Sequence, residues 1–372
     1  MRFLHTADWH IGKTLAGYDL LADQAATFKE IEQIAKDQQV DAVVIAGDLY
    51  DRSVPSEAAI NELDRELIQL NLKDQYPLLA ISGNHDSATR LGIGRQWYQS
   101  TAFFLNTDFQ SAFQPITIKA TQFFLLPYFG LQQAKNYFHN DSLRDLNSAM
   151  KAIVKKMTSQ FDPKKAHVLI AHFYASGAQR VDSDTNMEIG GLSAVDTAIM
   201  APFDYVALGH LHSRNALKEE RVRYSGSPMK FSASEANLEK GVWIVDTDSW
   251  QIDWQPLKPV HQLHVLTSSF AQLTDPQFAE QYAKDDYFVI KLTDRQVIPD
   301  VMTRLREYYP QIIILERKNG FQAPHSQVDR QAASENPLDL LQSFYEETTN
   351  NPLSKQQLKW ATAALKQAQK ED

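Results

Sequence analysis

Short, continuous apolar runs recur through the first part of the chain, and five of them stop abruptly at polar side chains. Pro77 to Ser82 ends at a Gly83 turn that presents Asn84, His85 and Asp86, and Arg2 to Thr6 leads to Asp8 and His10. Val40 to Ala46 leads through Gly47 to Asp48, Ala166 to Ala171 leads to His172, and Asp204 to Leu208 leads through Gly209 to His210 and His212. Runs of this length predict strands buried on both faces. Between them the period becomes helical: Phe28, Ile31, Ile34 and Ala35 share one face, and Ile60, Leu63, Leu67 and Leu70 another, after a helix start at Pro55–Ser56. The alternation predicts βαβ units. Later runs, Phe123 to Pro127 and Val242 to Asp246, add strands, so residues 1–258 are expected to form an α/β core of two packed sheets flanked by helices.

The pattern changes after His261. Strands over Leu263 to Thr267, Tyr287 to Leu292 and Gln311 to Glu316 alternate with helices around Pro276 to Tyr282 and through Val301, Leu305 and Tyr308, which predicts a small α+β domain over residues 261–320. Residues 321–335 are polar and suit a linker, and 336–372 carry two amphipathic helices. The first starts at Asn336–Pro337 with Leu338, Leu341, Phe344 and Tyr345 on one side. The second has Ser354 as N-cap, Gln357 closing a capping box and Leu353 against Leu358. Helices on a tether suit a partner, and the alternative is that they fold back on their own chain.

The totals narrow the chemistry. With no cysteine, disulfides, thiolate zinc sites and cysteine nucleophiles are excluded, so a metal would be held by oxygen and nitrogen. The start lacks the apolar core of a signal peptide and no run could span a bilayer, so the expected location is cytoplasmic, with no membrane partner. A net charge of −9 argues against a protein that grips nucleic acid unaided, while leaving room for a basic lining or a basic partner.

Ligands in open α/β sheets collect beyond the carboxyl ends of strands, and here five such ends carry metal-capable groups. Hydrolysis of a phosphoester needs charge relief on the phosphoryl oxygens and a nucleophile at neutral pH, which a pair of divalent ions supplies. Asp8 and His10, taken to project from one side of an extended segment, can hold a first ion with His212; Asp48 bridges; Asn84, His172 and His210 can hold a second. His85 is then available as general acid or transition-state stabiliser, and Asp86 could orient an imidazole. His5, His139, His167, His261, His264 and His325 are read as structural.

These same motifs, Asp8-Trp9-His10, Gly47-Asp48, Gly83-Asn84-His85-Asp86, Ala171-His172 and Gly209-His210-Leu211-His212, resemble those of the calcineurin-like metallophosphoesterases. The His5 to Gly12 start and Tyr224-Ser225-Gly226-Ser227-Pro228 resemble, more narrowly, the nuclease-subunit family of bacterial SbcCD complexes. The resemblance implies a manganese-dependent DNA nuclease, with magnesium as the substitute ion, acting as an ATP-regulated exonuclease on duplex ends and an endonuclease on single strands and hairpins. It further implies DNA repair, recombination and replication as the setting, at the nucleoid, with a homodimer inside a heterotetramer. The 261–320 domain would cap DNA, and the tail helices would dock on the SbcC subunit, the partner that binds ATP. Arg90 and Arg95 are candidates for phosphate contacts or the dimer interface, and Asp51 stands where archaeal and eukaryotic relatives carry a histidine, which bears on how DNA ends are steered. The alternatives are a phosphodiesterase or phosphatase for small substrates with the same ions, and a scaffold without catalysis, against which the full ligand set argues.

Overall fold

The computed structural model describes residues 1–184, 194–318, 337–349 and 352–371. Its strands are β1 (Arg2–Thr6), β2 (Thr14–Leu15), β3 (Tyr18–Asp19), β4 (Ala42–Ile45), β5 (Leu78–Ile81), β6 (Phe103–Asn106), β7 (Ile116–Ile118) and β8 (Thr121–Leu126). They continue as β9 (Ala166–His172), β10 (Tyr205–Gly209), β11 (Val222–Tyr224), β12 (Lys240–Asp246), β13 (Ile252–Leu257), β14 (Leu263–Ser268), β15 (Tyr287–Leu292) and β16 (Ile312–Arg317).

One sheet has the order β13-β12-β1-β4-β5-β6 and the other β11-β10-β9-β8-β7. The strands β1, β4, β5 and β6 run parallel, as do β8 to β11, whereas β12 enters antiparallel to β1. Alternation along each strand sends side chains to two cores. Phe3, Ala42, Val44, Leu79 and Ile81 meet Phe123, Leu125, Val168, Ile170 and Ala207 between the sheets. Their neighbours Leu4, Val43, Ile45, Leu78 and Ala80 point outward, against Phe28, Ile31, Ala35 and Leu63 of the helices Leu21–Asp37 and Glu57–Leu67. Helices Leu131–Phe138 and Leu146–Thr158 cover the far side of the second sheet with Ala134, Met150, Ile153 and Met157. Each of the larger side chains among them contributes roughly 1.5–3 kcal/mol on burial, which is why the apolar runs fix the layers.

The expected strands all form, with shifts of a residue or two at their ends. Ser56 caps its helix as expected, its side chain accepting from Ala59 N. The buried stripe of that helix runs through Ala59, Glu62, Leu63 and Glu66, so Ile60 lies outward instead of sharing the face. Arg65 explains the displacement, because its guanidinium pairs Glu62 and Glu66 and lets two carboxylates occupy inward positions.

The strands expected after His261 form a parallel sheet, β14-β15-β16, accompanied by the short helices Phe270–Leu273, Pro276–Ala279 and Val301–Arg306. Leu263, Tyr287 and Val289 pack on Leu15, Leu20 and Phe231, and His261 Nδ1 lies 2.9 Å from the Asp23 carboxylate. Contacts join residues 1–293 and 300–318 into one compact unit. Residues 294–299 and 319–372 form the second unit, whose described part is led by helices Pro337–Thr349 and Lys355–Glu371. Ser354 and Gln357 close the expected capping box, and Gln357 Nε2 donates to Tyr345 Oη across the helix pair. The expected 321–335 linker and Asn336 lie outside the described residues. Among the described residues no helix is long and apolar enough to cross a membrane.

Candidate metal centre

The carboxyl ends of β1, β4 and β5 in one sheet and of β9 and β10 in the other open toward one place, and the loops leaving them are tied together by main-chain bonds. Asp8 N donates to Gly47 O, His10 N to Asp48 O and Ile11 N to Leu49 O, at 2.9–3.0 Å. The segment carrying Asp8 and His10 is not extended, as the spacing suggested. Asp8, His10 and Asp48 have φ of 53°, 45° and 52°, and His210 has φ of 101°. Left-handed backbone at residues with a Cβ costs roughly 1–3 kcal/mol each, and such cost concentrates at functional sites. Gly83 makes the next approach possible, since a Cβ there would lie 2.1 Å from Asp48 Oδ1.

Two adjoining clusters result. In the first, His10 Nε2 is 3.0 Å from His212 Nε2 and 3.7 Å from Asp48 Oδ2, and ligand atoms of Asp8, His10 and Asp48 all lie within 4.8 Å of one another. In the second, His172 Nε2 is 2.9 Å from Asn84 Oδ1 and 3.2 Å from Asp48 Oδ2, and His210 Nδ1 is 2.8 Å from the same Asn84 oxygen. Asp48 thus belongs to both. Its second oxygen, Oδ1, accepts from His85 N at 2.8 Å.

These groups fit divalent cations. Facing imidazole nitrogens can share only one hydrogen, and Asp8 Oδ2 and His10 Nδ1 are buried without any hydrogen-bond partner in the protein. An unsatisfied buried polar atom costs roughly 1–3 kcal/mol. Burial pushes the His10 imidazole well below its ordinary range and His210 to about 3, so both are neutral and offer lone pairs. Burial opposes a charge on His172 as well, but Asp48 and Asp8 outweigh it and raise this imidazole to about 9. Burial likewise opposes ionisation of Asp48, yet the His172 charge holds its carboxyl below the usual range, whereas burial drives Asp8 up. Two oxygen-rich, nitrogen-rich points with an excess of acceptors are what hard or borderline divalent ions bind.

His85 lies beside this pair of clusters, its ring 4.7 Å from that of His10, centroid to centroid. Its Nδ1 donates to Asp51 O at 2.8 Å, which assigns the hydrogen to that nitrogen. Asp86 does not orient an imidazole. Its carboxylate accepts from the main-chain N–H groups of Gly83, Leu49 and Tyr50, so it staples the β4 and β5 exits to each other. Asp51 is half-buried at the rim, 3.7 Å from His10 Nδ1 and 2.7 Å from Lys13 Nζ. Arg90 donates to Ser53 O and Arg95 to Gly92 O, on short helices beyond the cluster. His5 is structural, bonded to Tyr205 Oη and Leu208 O and lowered to about 3 by burial, and His167 stacks on Phe161 at 3.7 Å.

The sequence left a further ring of residues unnoticed. His212 Nδ1 lies 2.8 Å from Ser183 Oγ, which donates to the fully buried Glu235. Lys240 pairs with Glu235 and donates to Ser227 Oγ and His212 O, both at 2.8 Å. Burial opposes the Glu235 charge, but Lys240 and His212 hold the carboxyl well below its usual range. Ser227, within the Tyr224 to Pro228 segment, was the one signal available.

The family model of calcineurin-like phosphoesterases matches residues 1–214, and that of the type 5 capsule protein repressor C-terminal domain matches residues 259–349. A curated relative from Staphylococcus epidermidis, named as a subunit of the nuclease SbcCD, is 33% identical over 365 residues, which is 96% of either chain. Among solved structures, an archaeal phosphodiesterase is 15% identical at a TM-score of 0.34, over 69% of this chain and all of that one. A protein of Thermus thermophilus is 10% identical at a TM-score of 0.41, over 69% of this chain and 99% of its own.

Proposed function

The chain belongs to the calcineurin-like phosphoesterases and, among them, to the nuclease subunits of SbcCD complexes, and from that premise we propose that it hydrolyses DNA phosphodiesters with two divalent cations. The reading comprises ATP-regulated 3′-to-5′ exonuclease action on duplex ends and endonuclease action on single strands and hairpins, in repair, recombination and replication. The observation that carries it is the shared carboxylate: Asp48 stands between the Asp8–His10–His212 cluster and the Asn84–His172–His210 cluster.

Two ions, manganese in this reading with magnesium as the substitute, would supply the charge that polarises the phosphoryl oxygens and eases deprotonation of the attacking water. The protein's own groups do the rest. Asp8, His10, Asp48 and His212 would hold one ion, and Asp48, Asn84, His172 and His210 the other. Ala46 O, accepting from His172 Nδ1 at 2.8 Å, turns the His172 Nε2 into the site. His85 keeps its Nδ1 hydrogen on Asp51 O, so it would act as general acid only as the imidazolium, giving the second proton from Nε2 to the leaving oxygen and ending as the neutral Nδ1–H ring.

An acidic subunit needs help to hold a polyanion. In this reading the SbcC subunit, which binds ATP, supplies the grip, the β14–β16 unit caps the DNA and the tail helices dock on SbcC. Phe344 and Trp360, exposed by 65% and 63% on the described tail, suit burial by a partner. A homodimer within the heterotetramer is supported by a second apolar surface, where Val54, Ile60, Ile93 and Tyr98 stand exposed around a hollow of about 500 Å³ that Arg90 also lines, with the exposed Trp97 next to Tyr98 in sequence. Such a complex would work in the cytoplasm, on the nucleoid.

The test is to incubate the chain, alone and with SbcC, with hairpin-ended DNA, Mn2+ and ATP, with Asp48→Ala as control. Cutting that requires manganese and Asp48, and that SbcC with ATP enhances, is the expected result. Turnover of a small phosphodiester with hairpins left intact would replace DNA by a small substrate. Deleting residues 336–372 should abolish association with SbcC while sparing metal-dependent hydrolysis, and co-purification of the shortened chain would refute the tail's role.

A further inference from the structure

We infer that Glu235, acting through Ser183, is a positioning residue that fixes the tautomer of His212 and thereby the affinity of the cation position shared by Asp8, His10, Asp48 and His212. The inference rests on the two-cation reading above and adds the device that keeps one ligand in its binding form.

The chain of donors has one consistent direction. Ser183 Oγ has a single hydrogen and two neighbours, His212 Nδ1 at 2.8 Å and Glu235 Oε1. An ionised carboxylate only accepts, so the hydroxyl hydrogen goes to Glu235 and the Ser183 oxygen is left to accept from His212 Nδ1. His212 therefore carries its hydrogen on Nδ1, and its Nε2 lone pair faces His10 Nε2 at 3.0 Å. The other tautomer would put a hydrogen where the cation has to sit.

The surroundings of Glu235 hold that direction. Its carboxylate is wholly buried and accepts from the Ser183 and Ser232 hydroxyls, Phe231 N and the Lys240 ammonium, while the Ser227 hydrogen goes to Met229 O at 2.7 Å. The same ammonium donates to His212 O, so one ion pair restrains the main chain of His212 directly and its ring through Ser183. Asp184 Oδ1 accepts from His212 N at 2.9 Å and completes the hold. A buried ion pair is weak as a device for stability, since a well-packed apolar pair often does as well. Its value here is orientational. The segment that carries Glu235 is itself anchored, with Phe231, Ala233 and Ala236 packed against Leu263, Tyr287 and Val289.

Two substitutions in the full-length chain separate this role from a structural one. In Glu235→Gln the carboxamide oxygen is drawn to the Lys240 ammonium, which turns the amide N–H toward Ser183, reverses the hydroxyl and favours a hydrogen on His212 Nε2. Ser183→Ala leaves the Glu235–Lys240 pair intact and removes only the link. With histidine labelled by 15N, two-bond proton–nitrogen spectra of the metal-free protein should show the Nδ1–H form of His212 in the wild type and the Nε2–H form in Glu235→Gln. Calorimetric titration with Mn2+ should show one of the two ions weakened by roughly 10–100-fold in both variants, the other unchanged, at an unaltered melting temperature for Ser183→Ala. The inference is overturned if the wild type carries the Nε2–H form, or if Ser183→Ala binds both ions as the wild type does. Ser183→Ala decides the matter should Glu235→Gln fail to fold. A wild type that binds no Mn2+ would instead defeat the two-cation reading itself.

Discussion

Replacing Gly209 by alanine should disable the centre without replacing a ligand. Gly209 is the last residue of β10 and pairs with His172 of β9. An alanine Cβ there would lie 2.1 Å from Ala46 O and 2.9 Å from both Ala7 Cβ and His172 Nδ1. Ala46 O is the acceptor that orients His172, so the clash falls on the contact holding a ligand in place. Restoring ordinary contact requires a retreat of roughly 1.3 Å, from 2.1 to 3.4 Å, by main chain on one side or the other. Overpacking of this kind costs about 1–3 kcal/mol in stability, whereas a misplacement near 1 Å costs about 100-fold in rate. The variant is therefore expected to fold, melt a few degrees lower and lose roughly 100-fold in Mn2+-dependent DNA cleavage, with weaker ion binding by calorimetry. Gly130→Ala, whose added carbon meets nothing within 4 Å, serves as the control. A Gly209→Ala protein that cleaves at the wild-type rate would refute the claim that crowding of the β4, β9 and β10 exits sets the geometry.

His85→Ala should keep both ions by calorimetry and lose about 10²–10⁴-fold in cleavage; wild-type turnover would remove His85 from the chemistry. Burial lifts the Glu66 carboxyl from 4.5 to about 7, with Glu62 adding to it and Arg65 opposing it. Folding therefore favours the neutral acid, and the penalty grows as pH rises from 4.5 through 7 and is complete above that. Glu66→Gln should accordingly melt higher than the wild type at pH 8 and equally at pH 4, and a lower melting temperature at pH 8 would contradict the assignment. Trp97→Asp, at a residue 80% exposed, should turn the proposed dimer into a monomer in sedimentation without lowering the melting temperature; a monomeric wild type, or an unchanged sedimentation coefficient in the variant, would refute the proposed contact.

Parallel strands buried on both faces must be apolar throughout, so their runs, and the polar residues where they stop, were readable from sequence. That is why Asp48, Asn84, His172 and His210 were singled out at the exits where the structure gathers them. Backbone conformation was not readable: Asp8 and His10 are separated by one residue in any conformation, and only the main-chain bonds to Gly47 and Asp48 impose the left-handed turn. Asp86 was credited with an imidazole partner because a carboxylate beside histidines suggests one, and its three amide donors come from two different loops. Glu235, Lys240 and Ser183 escaped notice because such residues are common on surfaces, and nothing local marks a glutamate that will be enclosed. Ile60 was misplaced by one step of the helix because Glu62 and Glu66 look like solvent-facing charges until Arg65 pairs them.

The position of β1, between β4 on one side and β12 on the other, sets an order of events at the ribosome. Its parallel neighbour emerges early, but residues 240–246, which close its other edge, are made more than two hundred residues later. At ordinary rates of synthesis the interval is roughly 10–50 s. Through that interval the nascent chain has Asp8, His10 and Asp48 but lacks the partner strand and Lys240, and for most of it lacks His172, His210 and His212 as well. A broken or unfinished copy is thus a sheet with an open edge and half a centre, a matter for chaperones and proteases, rather than a working phosphoesterase.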